Sequence, residues 1–383
     1  MTSATKTFYE FFSGGGMARA GLGDTWQCLL ANDISEKKAA SYAANWGAAH
    51  LVVEDVFRLH TDDLPGHADL AWGSFPCQDL SLAGVGAGLV GERSGSFWGF
   101  WKLVQGLNKQ RRKPHIVVLE NVYGALTSHG GADFETILRA VASEGYDVGA
   151  MVIDAIHFVP QSRPRLFMIG VDSAQSIPLP NAVAAEGPNP AWHPAALIKA
   201  YNRLPQNAKK NWRWWNMATP AVRIQTLDDI IESDPQGVDW HTPAETAHIL
   251  AMMTPLNRKK ILGAQKAGRL KVGTIYRRTR EGVQRAEVRF DGVSGCLRTP
   301  TGGSSRQTVI VVDGARIRTR LLSPREAARL MGLDDSYVLP PRYNDAYHLA
   351  GDGVVVPVVT HLSQYLLTPV AEARTRLSNK KAA

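Results

Sequence analysis

Phe8-Tyr9-Glu10-Phe11-Phe12-Ser13-Gly14-Gly15-Gly16-Met17-Ala18-Arg19-Ala20-Gly21-Leu22 is the stretch that decides the fold class. The apolar run at its start reads as a buried strand, the serine and glycines as a tight turn, and the remainder as a short helix. A strand, a glycine turn and a helix open a nucleotide-type α/β fold. The glycines let a backbone approach a ligand closely, and the helix start offers free N–H groups. The dinucleotide pattern needs a third glycine three residues after Gly16, and Arg19 stands there, which disfavours a pyrophosphate cradle.

Working outward, a second strand, Trp26-Gln27-Cys28-Leu29-Leu30-Ala31, ends at Asn32-Asp33. An acid about twenty residues beyond the glycines suits a ribose diol. It equally suits the cap of the helix expected from Ser35 to Trp46, and both readings stand. A third strand, Leu51-Val52-Val53, ends at Glu54-Asp55-Val56, where an acid can accept a bond from an adenine amino group. A glycine turn and two acids without a pyrophosphate cradle describe an adenosyl ligand lacking phosphates. S-adenosyl-L-methionine fits that description better than NAD.

A fourth strand pattern, Ala68-Asp69-Leu70-Ala71-Trp72, runs into Gly73-Ser74-Phe75-Pro76-Cys77-Gln78. Ligands of open α/β sheets bind outside strand carboxyl ends, so Cys77 is well placed for a nucleophile. A lone cysteine is otherwise most often a small buried hydrophobe. Between Gln78 and Arg93 the chain carries Gly84, Gly86, Gly88 and Gly91, a density that suits a closing lid. Another strand, Pro114-His115-Ile116-Val117-Val118-Leu119, ends at Glu120-Asn121-Val122, and Phe134, Ile137, Leu138 and Val141 follow at helical spacing. Two apolar runs, 151–158 and 165–171, are expected as a hairpin at the sheet edge, with Arg163 and Arg165 alternating onto one face.

The ordered set Phe12-Ser13-Gly14-Gly15-Gly16, Asp33, Asp55, Pro76-Cys77-Gln78, Arg93-Ser94-Gly95, Glu120-Asn121-Val122 and Gln161-Ser162-Arg163-Pro164-Arg165 resembles the DNA cytosine-5 methyltransferase family. Two later blocks extend the resemblance. Arg320-Leu321-Leu322-Ser323-Pro324-Arg325-Glu326-Ala327-Ala328-Arg329-Leu330-Met331-Gly332 is similar to the family's ninth motif, and Gly351-Asp352-Gly353-Val354 to Pro357 to its tenth. Each motif alone is weak; the ordered set, over residues 8–171 and 318–366, is specific. Met17 stands where many members have glycine, and Asp352 where asparagine is usual.

The resemblance implies a Rossmann-like α/β catalytic domain with a mostly parallel sheet, plus a smaller target-recognition domain. It implies S-adenosyl-L-methionine as cofactor, duplex DNA as partner and no metal. Cys77 would add to cytosine C6, Glu120 would hold N3 and the exocyclic amine, Arg165 would hold O2, and Arg163 would support this site. The cofactor would lie against Phe12, Ser13, Gly14, Gly16, Asp33, Ile34, Asp55, Val56, Pro76, Asp352 and Val354, and DNA against Gln78, Ser81 and Arg93. An RNA cytosine methyltransferase, a catalytically inactive DNA-binding module and a nicotinamide dehydrogenase are the competing readings. The long insert before the ninth motif disfavours the first, the intact Cys77, Glu120 and Arg165 the second, and Arg19 the third.

With 383 residues, two or three domains are expected. The boundaries read as 1–175 for the first part of the catalytic domain, 176–337 for the target-recognition domain and hinge, 338–378 for the rest of the catalytic domain, and 379–383 for a tail. Residues 176–194, rich in proline and alanine, read as a linker. A net charge of +8 suits a polyanion partner. Three cysteines without a Cys-x-x-Cys disfavour a disulfide scaffold or structural zinc. No signal peptide and no membrane span are expected, and the chain reads as cytoplasmic, nucleoid-associated and monomeric, with a cognate restriction endonuclease as a conceivable partner.

In the insert, residues 258–280 hold Arg258, Lys259, Lys260, Lys266, Arg269, Lys271, Arg277, Arg278 and Arg280 against no acid. Phosphate contact is the expectation, foremost for Arg258, Lys259, Lys260, Arg277 and Arg278. Trp212, Trp214 and Trp215, though interleaved with bases, are expected in a core. The glycine-rich run 295–306 reads equally as a DNA-contacting or an ordinary surface loop. Ser323-Pro324-Arg325-Glu326 reads as a capping box that starts a helix ending at Gly332. A last helix with Val358, Leu362 and Leu366 on one face is expected to pack back on the first domain.

Overall fold

The computed structural model describes residues 5–76, 95–174, 179–280, 282–298 and 306–374. Cys77, Gln78, Ser81, Arg93, the glycines at 84, 86, 88 and 91, and the tail from 375 lie outside them. The chain divides into two compact units. The first comprises Met1–Ile153, Pro164–Pro220 and Val356–Ala383; the second comprises Asp154–Arg163 and Ala221–Val355.

The first unit is built on β1 (Lys6–Phe11), α1 (Met17–Leu22), β2 (Trp26–Asp33), α2 (Glu36–Trp46), β3 (Leu51–Val53), β4 (Leu70–Gly73), α3 (Ser96–Lys109), β5 (Ile116–Val122), α4 (Ala132–Ser143), β6 (Tyr146–Asp154) and β7 (Pro164–Asp172). Its seven-stranded sheet has the order β3-β2-β1-β4-β5-β7-β6. The strands from β3 to β5 pair in parallel, and β7 runs antiparallel to β5. The strand order reverses between β1 and β4, where an open sheet leaves its ligand crevice. Continuous apolar strands such as Ile116–Leu119 are fully buried, as parallel strands covered on both faces must be. The aromatic face of α3, with Phe97, Phe100 and Trp101, fills the same core beside Phe11 and Phe75.

Three expectations change here. The strand expected to reach Phe158 stops at Asp154, because Asp154 Oδ1 accepts from Ile156 N and Arg163 N and turns the chain. Residues 179–194 are not a loose linker. They include β8 (Ala184–Ala185), which pairs with β9 (Trp214–Trp215), and Trp192 is buried and donates to Met217 O. Between these strands lie α5 (Ala195–Arg203) and α6 (Gln206–Lys209). The tryptophans 212, 214 and 215 are core residues: the chain there bonds to β6 through Val148, and a methyl on Gly149 would lie 1.9 Å from Arg213 O. The segment to Pro220 therefore sits with the first unit, and residues 338–355 with the second, unlike the boundaries read from sequence.

The second unit holds α7 (Pro243–Ala251), α8 (Pro255–Lys266), β10 (Lys271–Arg280), β11 (Val283–Arg289), β12 (Thr308–Asp313), β13 (Arg316–Leu321), α9 (Pro324–Leu330) and α10 (Tyr343–Asp352). Its sheet, ordered β11-β10-β12-β13, is antiparallel throughout. Ile275, Ala286, Val288, Ile310 and Val312 on one face pack with Ile249, Met253 and Ile261 of the two helices and their connection. Ser323 caps α9 as expected: its Oγ accepts from Glu326 N, and Glu326 Oε2 accepts from Ser323 N.

The chain returns to the first unit with α11 (Val356–Leu362), where Val358, Leu362 and Leu366 are buried. The approach to α1 is so close that a methyl on Gly21 would lie 2.3 Å from Val359 Cβ. Trp26 Nε1 donates to Ser363 and Thr368 within the same layer. The helical run Tyr343–Arg374 is long and apolar enough to cross a membrane by composition alone. Its large apolar side chains Val358, Val359, Leu362, Leu366, Leu367 and Val370 are spent in the protein core.

Candidate active site

Three strand ends meet at the reversal of strand order. β1 is followed by Phe12, a non-glycine residue at φ 58°, and the chain turns through Ser13 and Gly14. Ser74 N bonds Phe11 O, so the end of β4 is tied to the end of β1. On the other side, Asn121 Nδ2 donates to Phe75 O, and Asn121 Oδ1 accepts from Val122 N. Pro76 is exposed at this point, and Cys77 is the next residue in the chain. Asn121, buried and aimed at the approach to the cysteine, was quoted within its motif but given no task by sequence reasoning.

Glu120 and Arg165 come together through the antiparallel register of β5 and β7. Val122 pairs with Arg165 and Glu120 with Phe167, so Glu120 and Arg165 are diagonal neighbours on one face. Arg165 Nε lies 3.2 Å from Glu120 Oε1, with both side chains mostly buried. An acid and a guanidinium fixed side by side form a polar fork that can hold a planar ring with both acceptors and donors.

Strand alternation predicted Arg163 on the same face as Arg165, but its side chain is used elsewhere. It precedes β7, belongs to the second unit and is buried. Its guanidinium donates to Leu297 O, Gly351 O and Gly353 O at 2.7–2.9 Å. It gathers two chain segments of the second unit, 295–297 and 351–353. The preceding Gln161 does related work, donating to Leu330 O and accepting from Leu297 N.

The side of the crevice read as the cofactor's is an acid-braced glycine turn. Asp33 Oδ2 accepts from Gly14 N and Oδ1 from Ser35 N, both at 2.8 Å. Ser35 is the cap of α2, so Asp33 braces the turn and does not cap the helix. Asn32 Nδ2 donates to Val52 O and Glu54 O and fixes β3 alongside. Asp55 Oδ1 accepts from Phe57 N. Gly14, at φ +55°, has open space where a Cβ would stand. Gly16 does not: a methyl there would lie 2.4 Å from Trp46 Nε1, so it serves helix packing, not ligand approach. Val56 is a core residue against Gly99, and the exposed apolar groups at this edge include Ile34, Val53 and Phe57. Asp352 is exposed at the end of α10 and Val354 is buried, both in the second unit.

These residues fit an adenosyl group. The turn is open at Gly14, Ser13 Oγ is buried without a protein partner, and exposed Ile34 and Phe57 flank the acids. Below the turn lies Glu10, also buried. Its Oε1 accepts from Arg19 N, while its Oε2 has no partner. Burial pushes its carboxyl up to about 8, moderated by the Arg19 backbone N–H. Sequence reading counted Glu10 only as part of a strand.

Of the five basic residues expected on phosphates, four already have work in the second unit. Arg258 donates to Ala251 O, and Lys260 to Val288 O. Arg278 pairs with Glu287, and Arg277 faces the helix-packed side with Ile275, whose neighbours on β10 alternate by strand period. Lys259 is exposed.

Residues 6–367 match the profile of the C-5 cytosine-specific DNA methylase family. The chain belongs to that family. It is 22% identical to the type II methyltransferase M1.ScrFI of Lactococcus lactis subsp. cremoris, over 97% of this chain and 80% of that protein. It is 24% identical to the type II methyltransferase M.HhaI of Haemophilus parahaemolyticus, over 93% of this chain and 92% of the relative. Among solved structures, the Entamoeba histolytica methyltransferase EhMeth superposes with a TM-score of 0.64 at 13% identity, covering 96% of this chain and 99% of that one. The family member described here is thus an enzyme with S-adenosyl-L-methionine as methyl donor and DNA cytosine as acceptor.

Proposed function

We propose that this DNA methylase transfers a methyl group to C5 of a cytosine rotated out of duplex DNA, through a covalent adduct between Cys77 and C6. The observation that carries this reading is the Glu120–Arg165 pair, set by strand register at a sheet edge where Asn121 ties down the residues entering Cys77. A base stacked in a duplex cannot offer C6 to a thiol, so the cytosine must leave the stack.

Cytosine C5 is too weak a nucleophile unaided. In the proposed sequence the Cys77 thiolate forms a bond to C6, and the C5–C6 π electrons shift to make C5 enamine-like. Glu120 donates a proton to N3 and accepts from the exocyclic amine, so the charge of the adduct is stabilised where it develops. Arg165 holds O2. S-adenosyl-L-methionine, when bound, supplies an electrophilic methyl. Once C5 carries the methyl group, its proton leaves to a base, Cys77 is expelled from C6, and N3 returns its proton. Asp33 and the glycine turn hold the cofactor's sugar and amino-acid end, with Ile34 and Phe57 beside the adenine. The second unit is assigned target recognition. The enzyme is proposed to act as a monomer on nucleoid DNA in the cytoplasm, with a cognate restriction endonuclease as partner.

The test is a denaturation-resistant adduct. Wild-type protein with S-adenosyl-L-methionine should trap a duplex containing 5-fluorocytosine, because fluorine cannot leave C5 as a proton does. Cys77→Ser should neither trap nor methylate, while Cys28→Ser and Cys296→Ser should trap. Methylation by Cys77→Ser at near the wild-type rate defeats the covalent mechanism. Preference for tRNA over duplex DNA defeats the substrate assignment.

A further inference from the structure

The antiparallel sheet of the second unit has two unlike faces. Ile275, Val288, Arg277, Ala286 and Ile310 share the face under α7 and α8, by their cross-strand register. The same register places Tyr276 opposite Glu287 and Arg278 opposite Arg285 on the other face. Arg278 is neutralised by Glu287, whereas exposed Arg285 faces Arg278 directly. The Glu287 carboxylate offsets the repulsion between the two arginines, and Arg285 is left as the exposed charge of this face.

Arg298 reaches this face from a distant stretch of chain. Its backbone is rooted by its neighbour: Leu297 N donates to Gln161 Oε1 at 3.0 Å, and Leu297 O accepts from Arg163 Nη1 at 2.9 Å. Its tip is steadied by Tyr276, whose hydroxyl accepts from Arg298 Nη1 at 3.3 Å and whose ring centroid lies 5.6 Å from the guanidinium carbon. The residue is exposed, and no carboxylate pairs with it among the described residues. An exposed arginine held at root and tip has lost conformational freedom with no acid to satisfy it. Such fixing suits bidentate bonding, which a guanidinium makes to phosphates as well as to base edges. A planar fork presented in one orientation is what bidentate bonding to O6 and N7 of guanine requires.

We propose that Arg298 is a specificity-determining residue that reads one guanine of the target sequence from the major groove, with Tyr276 as its positioning residue. This rests on the DNA methylase reading above and deepens it by assigning one base of the site to one side chain. Arg285 and Lys259, exposed on the same unit, are left for phosphates.

The experiment maps 5-methylcytosine at base resolution in DNA from a methylation-free host expressing the full chain, and measures methylation of duplexes varied at each site position. Wild-type activity should require guanine at one position beside the target cytosine. Arg298→Ala should accept other bases there, with discrimination falling about 5- to 150-fold while other positions keep theirs. Arg298→Lys keeps the charge and should relax the same position, and Tyr276→Phe should do so more weakly. The salt dependence of DNA affinity should stay as in wild type. If Arg298→Ala instead weakens all sequences alike and flattens the slope of log K against log salt by about 0.9, the contact is to phosphate and the proposal fails. An unchanged preference at every position also overturns it. A wild-type chain that leaves no 5-methylcytosine in DNA fails the functional reading first, and this proposal with it.

Discussion

Two glycines of one turn should fail in different ways when given a methyl group. Gly16→Ala places a Cβ 2.4 Å from Trp46 Nε1, 2.7 Å from Trp46 Cδ1 and 2.9 Å from Tyr42 Cε2, at φ +76°. The left-handed backbone alone costs an L-residue about 1–2 kcal/mol. Overpacking against two ring systems, one of which bonds Gly15 O, adds about 1–3 kcal/mol. The sum, roughly 2–5 kcal/mol, is a large share of a domain's stability. Gly14→Ala meets no atom within 4 Å and pays only the backbone cost at φ +55°, about 1–2 kcal/mol. Its methyl group instead enters the open space proposed for the cofactor. Urea unfolding followed by tryptophan fluorescence, with calorimetric titration of S-adenosyl-L-methionine, separates the two. Gly16→Ala should lower the unfolding midpoint strongly. Gly14→Ala should unfold within about 2 kcal/mol of wild type and bind the cofactor far more weakly. A Gly16→Ala protein as stable as wild type, or a Gly14→Ala protein with unaltered cofactor affinity, would refute the division of labour drawn from the turn.

Two further predictions concern buried charge. Glu10 has its folded pKa raised to about 8 by burial, from an ordinary 4.5, so the native state holds a proton that the unfolded chain releases. Its contribution is intact below pH 4.5 and is lost as pH rises toward 8; the full span is on the order of 5 kcal/mol. Glu10→Gln should flatten stability over that window in unfolding titrations, and a pH profile identical to wild type would count against a protonated Glu10. In the second unit, Glu326 is fully buried and accepts from Arg320 through two bonds, from Ser323 N and from Glu232 N. Glu326→Ala should cost about 3–5 kcal/mol by stranding Arg320, whereas Arg320→Met with Glu326→Leu should cost less; equal losses in denaturant unfolding would contradict this.

Much of the framework around the candidate site was legible because its signals are local. The order of strand, turn and helix follows from apolar period and glycine placement over a few residues. That is why Met17–Leu22, the Leu51–Val53 strand and the Ser323 capping box lie where the pattern puts them. The acids at strand ends were legible for the same reason. What a residue does there was less so: Asp33 was readable as a helix cap or a ribose acid, and the fold makes it the brace of Gly14. Arg163 and Arg165 looked equivalent two residues apart, yet one is spent on three carbonyls more than 130 residues away in sequence and the other on Glu120.

By itself, then, the sequence determined the α/β class, the strand–turn–helix opening and the ordered motifs of the family, since these depend on backbone periodicity and side-chain types that a few neighbouring residues carry. Only the tertiary structure decided which glycine faces open space, that Glu10 is sealed beneath the turn, and that residues 179–220 join the first unit. Those outcomes hang on burial and on contacts between segments far apart in the chain. Whether a methyl group has room, or a carboxylate has water, is set by what folds over it from elsewhere, and no local pattern carries that information.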